Sequence, residues 1–366
     1  MPRRPANPIT ALLTAAAILA PGERVLLLHS DDPELARWAM GAVQPGGRVV
    51  ALHASHRALT ALSRLPGLEV AESVYPDPAA HGPADTALIA IPKGRDAARG
   101  LLWAAAQALR PGGQMFLAGP NDGGAKSTLK DAAELLGSAP VLAYKSSHRV
   151  ALAIRPESLV LPPGWDSGEP QTRTITRPEG AYTVITLPGV FSWDHLDDGT
   201  ALLLDHLGAR PGLDVLDIGC GYGIIGMAAA RAGARVTLVD DDLLAVRCAR
   251  ASVEANGLAD RCTVLPSDVT SALTGQQFDL ALSNPPFHRG TDVSTAVAHR
   301  FIHEAADVLR PGGRLRIVAN RFLPYDRTLQ DVFGSARIVA DTSRYAVWEA
   351  VRGTTKASYI EDARGG

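Results

Sequence analysis

Cysteine is scarce in this sequence. Cys220, Cys248 and Cys262 are the three among 366 residues; all lie in the second half, and none forms a C-x-x-C pair. An odd number without metal-ligand spacing argues against a disulfide framework or a zinc site and points to reduced thiols in a cytoplasm. Strong charge of either sign is also missing. The formal net charge is −2, so the chain lacks the basic excess of many nucleic-acid-binding domains. The balance is uneven, with 16 Lys+Arg against 12 Asp+Glu in residues 1–155 and 20 against 26 in the remainder. The first part is therefore the better partner for a polyanion, by a small margin. A membrane-length apolar run is missing too. Arg3 and Arg4 followed by Ile9–Ala20 imitate a secretory signal, but the run is too short to span a bilayer. It leads through Pro21-Gly22 into the strand-like Val25–Leu28, so it reads as an Ala/Leu helix on a cytoplasmic domain. A Walker loop is absent as well. In Gly119-Pro-Asn-Asp-Gly-Gly-Ala-Lys-Ser-Thr128, Ala125 separates glycine from lysine, and the stretch reads as a strand-to-helix turn.

What is present is a soluble globular composition, 46% hydrophobic and 20% charged, in a chain long enough for two domains. Its organising stretch is Asp214-Val-Leu-Asp-Ile-Gly-Cys-Gly-Tyr-Gly-Ile-Ile-Gly226. Val215, Leu216 and Ile218 form a buried strand. Gly219, Gly221 and Gly223 follow at alternate positions, and Ile224–Ala230 is an apolar helical run. Strand, glycine loop and helix N-terminus together let backbone N–H groups approach a ligand closely. Arg235–Asp240 is a second strand ending in an acid, 21 residues after Gly219, at the distance that suits a ribose-binding carboxylate.

Strand-like and helix-like segments alternate through both halves, which implies parallel sheets covered by helices. In the first half, strands are expected at 24–29, 48–53, 85–91, 113–118 and 149–154, and helices near 33–42, 56–64, 95–109 and 124–136. The halves match each other in order. Leu109-Arg-Pro-Gly-Gly113 recurs as Leu309-Arg-Pro-Gly-Gly313, Arg48–Leu52 matches Arg235–Val239, Ala84–Leu88 matches Phe278–Leu282, and Val25–Leu28 matches Val215–Ile218. Two copies of one fold are inferred. The chemistry is not duplicated. Ser30-Asp-Asp-Pro33 stands where the second copy has its glycine loop, His53 where it has Asp240, and Ala90-Ile-Pro92 where it has Asn284-Pro-Pro286. The expected division is a degenerate domain over 1–155 for scaffolding or substrate docking, a Pro/Gly-rich linker over 156–171, and a catalytic domain over 172–366 that opens with a hairpin.

Phe278-Asp-Leu-Ala-Leu-Ser-Asn-Pro-Pro-Phe-His288 carries the most specific chemistry. An sp² exocyclic amine is a poor nucleophile because its lone pair is delocalised. Two acceptors on its N–H groups draw the nitrogen toward sp³ geometry and aim the lone pair. The Asn284 side-chain oxygen and the Pro285 carbonyl suit that task, the prolines stiffen the loop, and Phe287 can stack on a planar target. After the strand-like Cys262–Leu265, Asp268 becomes a third candidate ligand, following Asp217 and Asp240. Asp197 or Asp198 can cap the helix that follows.

Asp-x-Gly-x-Gly-x-Gly, beginning at Asp217, resembles the first motif of class I S-adenosylmethionine-dependent methyltransferases. Asn-Pro-Pro-Phe resembles adenine N6, protein glutamine and rRNA guanine N2 methyltransferases. Gly189-Val-Phe-Ser192, Leu196-Asp-Asp-Gly-Thr200, Asn284–His288 and Ala319-Asn-Arg-Phe-Leu-Pro-Tyr325, with the degenerate first half, make the chain similar to the ribosomal small subunit methyltransferase C family. The resemblance implies an α/β fold of two tandem Rossmann-like methyltransferase domains, S-adenosyl-L-methionine as cofactor and a guanosine of 16S rRNA in the small subunit as substrate. A sister family acts on 23S rRNA. A glutamine methyltransferase and a cofactor-binding RNA chaperone without activity are the other readings. By the same resemblance, Asp217, Gly219, Cys220, Gly221, Gly223, Asp240, Asp241, Asp268, Val269, Asn284 and Phe191 fall on cofactor positions. Asn284, Pro285 and Phe287 fall on the catalytic loop, and Phe287 and His288 on the substrate side. Which of Asp240, Asp241 and Asp242 holds the ribose is open. A cytoplasmic monomer without metal or membrane attachment is expected.

Overall fold

The structure is a computed structural model that describes residues 7–165, 168–285, 292–321 and 325–353, with backbone alone over 292–298. The chain divides into two compact units, Met1–Pro170 with Leu187–Gly189 and Asp242–Leu244, and Gln171–Thr186 with Val190–Asp241 and Ala245–Gly366.

The first unit runs α1 (Pro8–Ala16), β1 (Arg24–Leu28), α2 (Pro33–Ala42), β2 (Arg48–Leu52), α3 (His56–Leu62), β3 (Glu69–Ala71), α4 (Pro78–His81), β4 (Ala84–Ala90), α5 (Arg95–Ala108), β5 (Leu109–Pro120), α6 (Lys126–Leu136), β6 (Val141–Lys145) and β7 (His148–Ile154). Its seven strands lie in the order β3-β2-β1-β4-β5-β7-β6, with β7 antiparallel to both of its neighbours. Alternate residues divide between two cores. Leu26, Leu28, Val50 and Leu52 pack on one face, and Val25, Leu27, Val49 and Ala51 on the other. Helices cover both faces, which is why these strands are continuous apolar runs. The signal-like run at the start is α1. Asn7 caps it, and Leu12 and Leu13 are buried. Among the described residues no helix is long and apolar enough to cross a membrane. The Walker-like stretch is a turn, since β5 ends at Pro120 and α6 begins at Lys126.

The second unit opens with the expected hairpin, β8 (Gln171–Arg177) against β9 (Gly180–Thr186). It continues α7 (Asp198–Asp205), β10 (Asp214–Ile218), α8 (Ile224–Arg231), β11 (Arg235–Asp240), α9 (Leu243–Ala255), β12 (Cys262–Pro266), β13 (Phe278–Ser283), α10 (Asp292–Val308), β14 (Leu309–Asn320), α11 (Tyr325–Phe333), β15 (Ala336–Asp341) and β16 (Tyr345–Val351). The strand order β12-β11-β10-β13-β14-β16-β15 repeats that of the first sheet, position for position.

The repetition extends to side chains at the amino ends of the strands. In the first sheet Asp85 accepts the Arg24 N–H at 2.8 Å and Arg110 Nε at 2.7 Å. In the second, Asp279 accepts the Asp214 N–H at 2.9 Å and pairs with Arg310 at 2.8 Å. Both sheets break register one residue into the pairing, between Ala84 and Thr86 and between Phe278 and Leu280. The recurring Arg-Pro-Gly-Gly is this lead-in. A Cβ on Gly113 or Gly313 would come within 2.8 Å of the carbonyl oxygen of Arg110 or Arg310.

Candidate active site

The carboxyl ends of β12, β11, β10 and β13, four adjacent strands, bring the predicted residues together. Crevices at such strand ends are where ligands sit in open α/β sheets. Asp217 lies within β10 and is fully buried. One of its oxygens accepts the Gly226 N–H at 2.8 Å, an amide in the first turn of α8 that has no intrahelical partner. The other makes no hydrogen bond among the described residues. Glycine at 226 is required by packing, because a Cβ there would sit 2.4 Å from the Leu238 side chain on the neighbouring strand.

Gly219, Gly221 and Gly223 have φ of 73°, 56° and 89°, the left-handed region that a side chain disfavours. The loop is stapled to β11. The N–H groups of Gly219 and Cys220 donate to the Val239 carbonyl at 2.8 and 3.1 Å, and the Gly221 N–H donates to the Asp240 carboxylate at 2.9 Å. Cys220 is buried, and so is Tyr222, whose hydroxyl is pushed up to about 12 by burial and then by the negative charge of Asp197. The three consecutive acids separate by role. Asp240 touches the glycine loop, whereas Asp242 caps α9 by accepting the Leu244 N–H at 2.9 Å. Asp241, between them, is half-buried.

Asp268 follows β12 and pairs with Arg300 at 2.8 Å. Arg300 also pairs with Glu304 at 2.5 Å, and Glu304 accepts from the N–H and hydroxyl of Thr270, so α10 holds this loop from both sides. Val269 is buried at φ 51°, an unusual conformation for a β-branched residue. The Arg300–Glu304 clamp was not anticipated; its only trace in the sequence is an i,i+4 pair of opposite charges.

Asn284 and Pro285 follow β13. Ser283 is the register partner of Ile218, and its hydroxyl donates to the Ile218 carbonyl at 2.7 Å. Gly219 and Asn284 are therefore the next residues on neighbouring strands, about 5 Å apart along the sheet. The Asn284 amide nitrogen donates to Asp197 Oδ2 at 2.9 Å and to Thr200 Oγ1 at 2.8 Å. Asp197, not Asp198, is the cap of α7, accepting the Thr200 N–H at 2.8 Å. Phe191 is 60% exposed, in the segment between β9 and α7. Phe287 and His288 lie outside the described residues.

The equivalent end of the first sheet is filled differently. His29 occupies the place of Gly219 at φ 58°, and its N–H donates to Leu52 as that of Gly219 does to Val239. Its ring stacks on His53, the counterpart of Asp240, with centroids 4.5 Å apart. Burial, and then the neighbouring His53, lowers His29 to about 4, and burial lowers His53, so the site favours the neutral form of each ring. Asp32 caps α2 through the Glu34 N–H, so a side chain takes the N-terminal amide that a ligand would otherwise meet.

In the second unit, a buried acid with an unpartnered oxygen, three left-handed glycines and an acid at the next strand end fit a ligand that carries a cationic amino acid and a ribose. Burial pushes the Asp217 carboxyl from its ordinary 3.8 up to about 7; the Gly226 N–H opposes this and the charge of Asp240 adds to it. Below 3.8 the acid is protonated in the folded and unfolded states alike. Between there and about 7 only the folded state keeps the proton, so each pH unit gained takes up to about 1.4 kcal/mol from folding stability. Asp217→Asn should therefore raise the melting temperature of the cofactor-free protein, by roughly 5 °C more at pH 8 than at pH 5. Equal shifts at both pH values would rule out ionisation of this acid as the cause.

Residues 181–349 match the family profile described as Methyltransferase small domain. A ribosomal RNA small subunit methyltransferase C from Klebsiella pneumoniae is 36% identical over 345 residues, covering 90% of this chain and 96% of that one. Its counterpart from Chromohalobacter salexigens is 39% identical, covering 75% and 80%. An RsmC from T. thermophilus, a 16S rRNA N2 methyltransferase solved with AdoMet and guanosine, superposes with a TM-score of 0.81 at 34% identity over 96% of this chain and 93% of that one. With its duplicated sheet and its Asp217-to-Asn284 strand ends, the chain belongs to the ribosomal RNA small subunit methyltransferase C family, whose members are S-adenosylmethionine-dependent enzymes.

Proposed function

We propose that this protein transfers the methyl group of S-adenosyl-L-methionine to the exocyclic N2 amine of a guanosine in the 16S rRNA of the small ribosomal subunit. The observation that carries the reading is Asn284, set beside the glycine loop with its amide nitrogen tied back into the protein. The T. thermophilus relative solved with AdoMet and guanosine supports both the cofactor and the base.

In this reading Asp217 and the Gly219–Gly223 loop, including the Cys220 backbone, hold the methionine end, and Phe191 lies near it. Asp240 takes the ribose hydroxyls, with Asp241 beside it, and Asp268 and Val269 border the adenine. When bound, the cofactor supplies an activated methyl on a sulfonium. The Asn284 oxygen and the Pro285 carbonyl accept the two N2 hydrogens, localising the lone pair that attacks that methyl. The carbon–sulfur bond breaks as the carbon–nitrogen bond forms, and the surplus proton on nitrogen leaves to water. Phe287 stacks on the base and His288 borders it. Catalysis is then orientation and electrostatics, with no covalent step on the protein. The first unit, whose strand ends carry the His29–His53 stack in place of the glycine and the acid, serves as scaffold or docking domain and binds no cofactor.

The test is methyl transfer from labelled cofactor to 30S and 50S particles from a strain lacking this methyltransferase, in cytoplasm-like buffer. The expected result is label at one guanosine N2 of 16S rRNA, with calorimetry giving one cofactor per chain. Label confined to 50S particles or to protein would overturn the substrate. Two cofactors per chain would overturn the role of the first unit.

A further inference from the structure

Asn284 is useful as an acceptor only if its amide is the right way round. The side chain has an oxygen on one side and an NH₂ on the other, and a rotation of 180° about χ2 would present donors to the target amine instead. Two groups in this structure decide the matter. Asp197 Oδ2, 2.9 Å from Asn284 Nδ2, belongs to a carboxylate, which when ionised can only accept. Thr200 Oγ1, 2.8 Å from the same nitrogen, takes its second hydrogen. Both amide hydrogens are thus claimed at the N-terminus of α7, and Oδ1 is left at the opposite edge of the planar amide.

These partners are themselves fixed. The same Asp197 Oδ2 accepts the Thr200 N–H at 2.8 Å, so the helix cap and the amide clamp share one oxygen. Thr200 is buried, at 5% exposure. The charge of Asp197 is also felt by Tyr222 in the glycine loop. The N-terminus of α7 therefore lies beside Asn284 and close enough to the glycine loop for its charge to act there.

We infer that Asp197 and Thr200 are positioning residues for methyl transfer: they lock the Asn284 amide with its oxygen toward the target amine, and the Asp197 charge polarises that oxygen. A hydrogen bond donated to an anion strengthens the acceptor at the other end of the amide. The inference rests on the reading of Asn284 as an acceptor. It adds that the acceptor is preset before substrate arrives, by residues 84 and 87 positions away in the chain. Leu196-Asp-Asp-Gly-Thr200 is then part of the active-site machinery as well as a helix start.

The test uses the full chain in single-turnover assays on undermethylated small-subunit particles with cofactor saturating. Thr200→Val keeps the shape and removes the acceptor. It is expected to slow transfer about three- to tenfold, the effect of one lost hydrogen bond, with cofactor Kd unchanged. Thr200→Ser should restore the rate. Asp197→Asn, which keeps an acceptor for the helix cap, should also slow transfer at unchanged Kd. In an Asn284→Ala background Thr200→Val should bring no further loss, a coupling that simple destabilisation of α7 would not produce. Full speed in both Thr200→Val and Asp197→Asn, or the same loss with and without Asn284, overturns the inference while a slow Asn284→Ala leaves the acceptor reading standing. Full speed in Asn284→Ala overturns both.

Discussion

Asn284→Ala should abolish most methyl transfer and leave cofactor binding intact. Alanine removes an acceptor whose contact with the target amine is strongest in the transition state, so the loss belongs to turnover and not to ground-state affinity. Removing one preorganised transition-state hydrogen bond typically lowers kcat by about 10²- to 10³-fold. The glycine loop, Asp240 and Asp268 hold together without this side chain: Gly221 keeps Asp240, and Asp268 keeps Arg300. Calorimetry with S-adenosylmethionine should match that of the parent protein, while single-turnover transfer to small-subunit particles collapses. Asp at 284 should recover part of the rate, since a carboxylate also accepts, but it would face Asp197 with no N–H to offer. A normal rate for Asn284→Ala would make the loop structural and the mechanism wrong.

The opposite pattern is expected of Asp240→Ala. Here cofactor affinity should fall about ten- to a hundredfold, the effect of losing a charge-assisted hydrogen bond to the ribose of roughly 1.5–3 kcal/mol. The structure adds a second cause, because Asp240 also holds the Gly221 N–H. Loop order and ligand contact are lost together, which favours the upper end of that range. Asp242→Ala is the control. Asp242 caps α9, so its replacement should lower the melting temperature with little effect on cofactor Kd. Titration calorimetry on the single variants separates the cases, and a weakened Asp241→Ala beside a normal Asp240→Ala would move the ribose contact by one residue.

Much of this architecture is legible in the residues because buried parallel strands announce themselves. β1, β2, β4, β10 and β11 are short apolar runs, and the equivalence of the two sheets followed from the order of matches between the halves. In the first half the strands that were not foreseen, β3 and β6, are edge strands whose residues are largely exposed or half-buried, so no apolar run marks them. The fifth strand starts at Leu109 and not at 113, because Leu109 already pairs with Ala84 and the Arg-Pro-Gly-Gly that follows is taken up in a register break before Gln114 pairs with Thr86. Within the site, acids and glycines next to strand ends could be found by position along the chain. The Asp197–Asn284 and Asp268–Arg300 contacts could not. They join residues far apart in sequence through helices whose docking is decided by the packing of the whole sheet.

The Asp85–Arg110 and Asp279–Arg310 pairs give the two sheets a polarity. At the amino ends of the strands, both units hold the first central strand by its backbone N–H with the same acid and the same arginine. At the carboxyl ends, one unit presents glycines and acids and the other a stacked pair of imidazoles. Foldability and chemistry are therefore written at opposite ends of the same strands. Substitutions at Asp85 or Asp279 disturb the lead-in of a sheet whichever half they strike, whereas the glycines and acids of the far end stand in the second half alone. The two copies thus differ in chemistry at one rim of the sheet while sharing the same acid–arginine arrangement at the other.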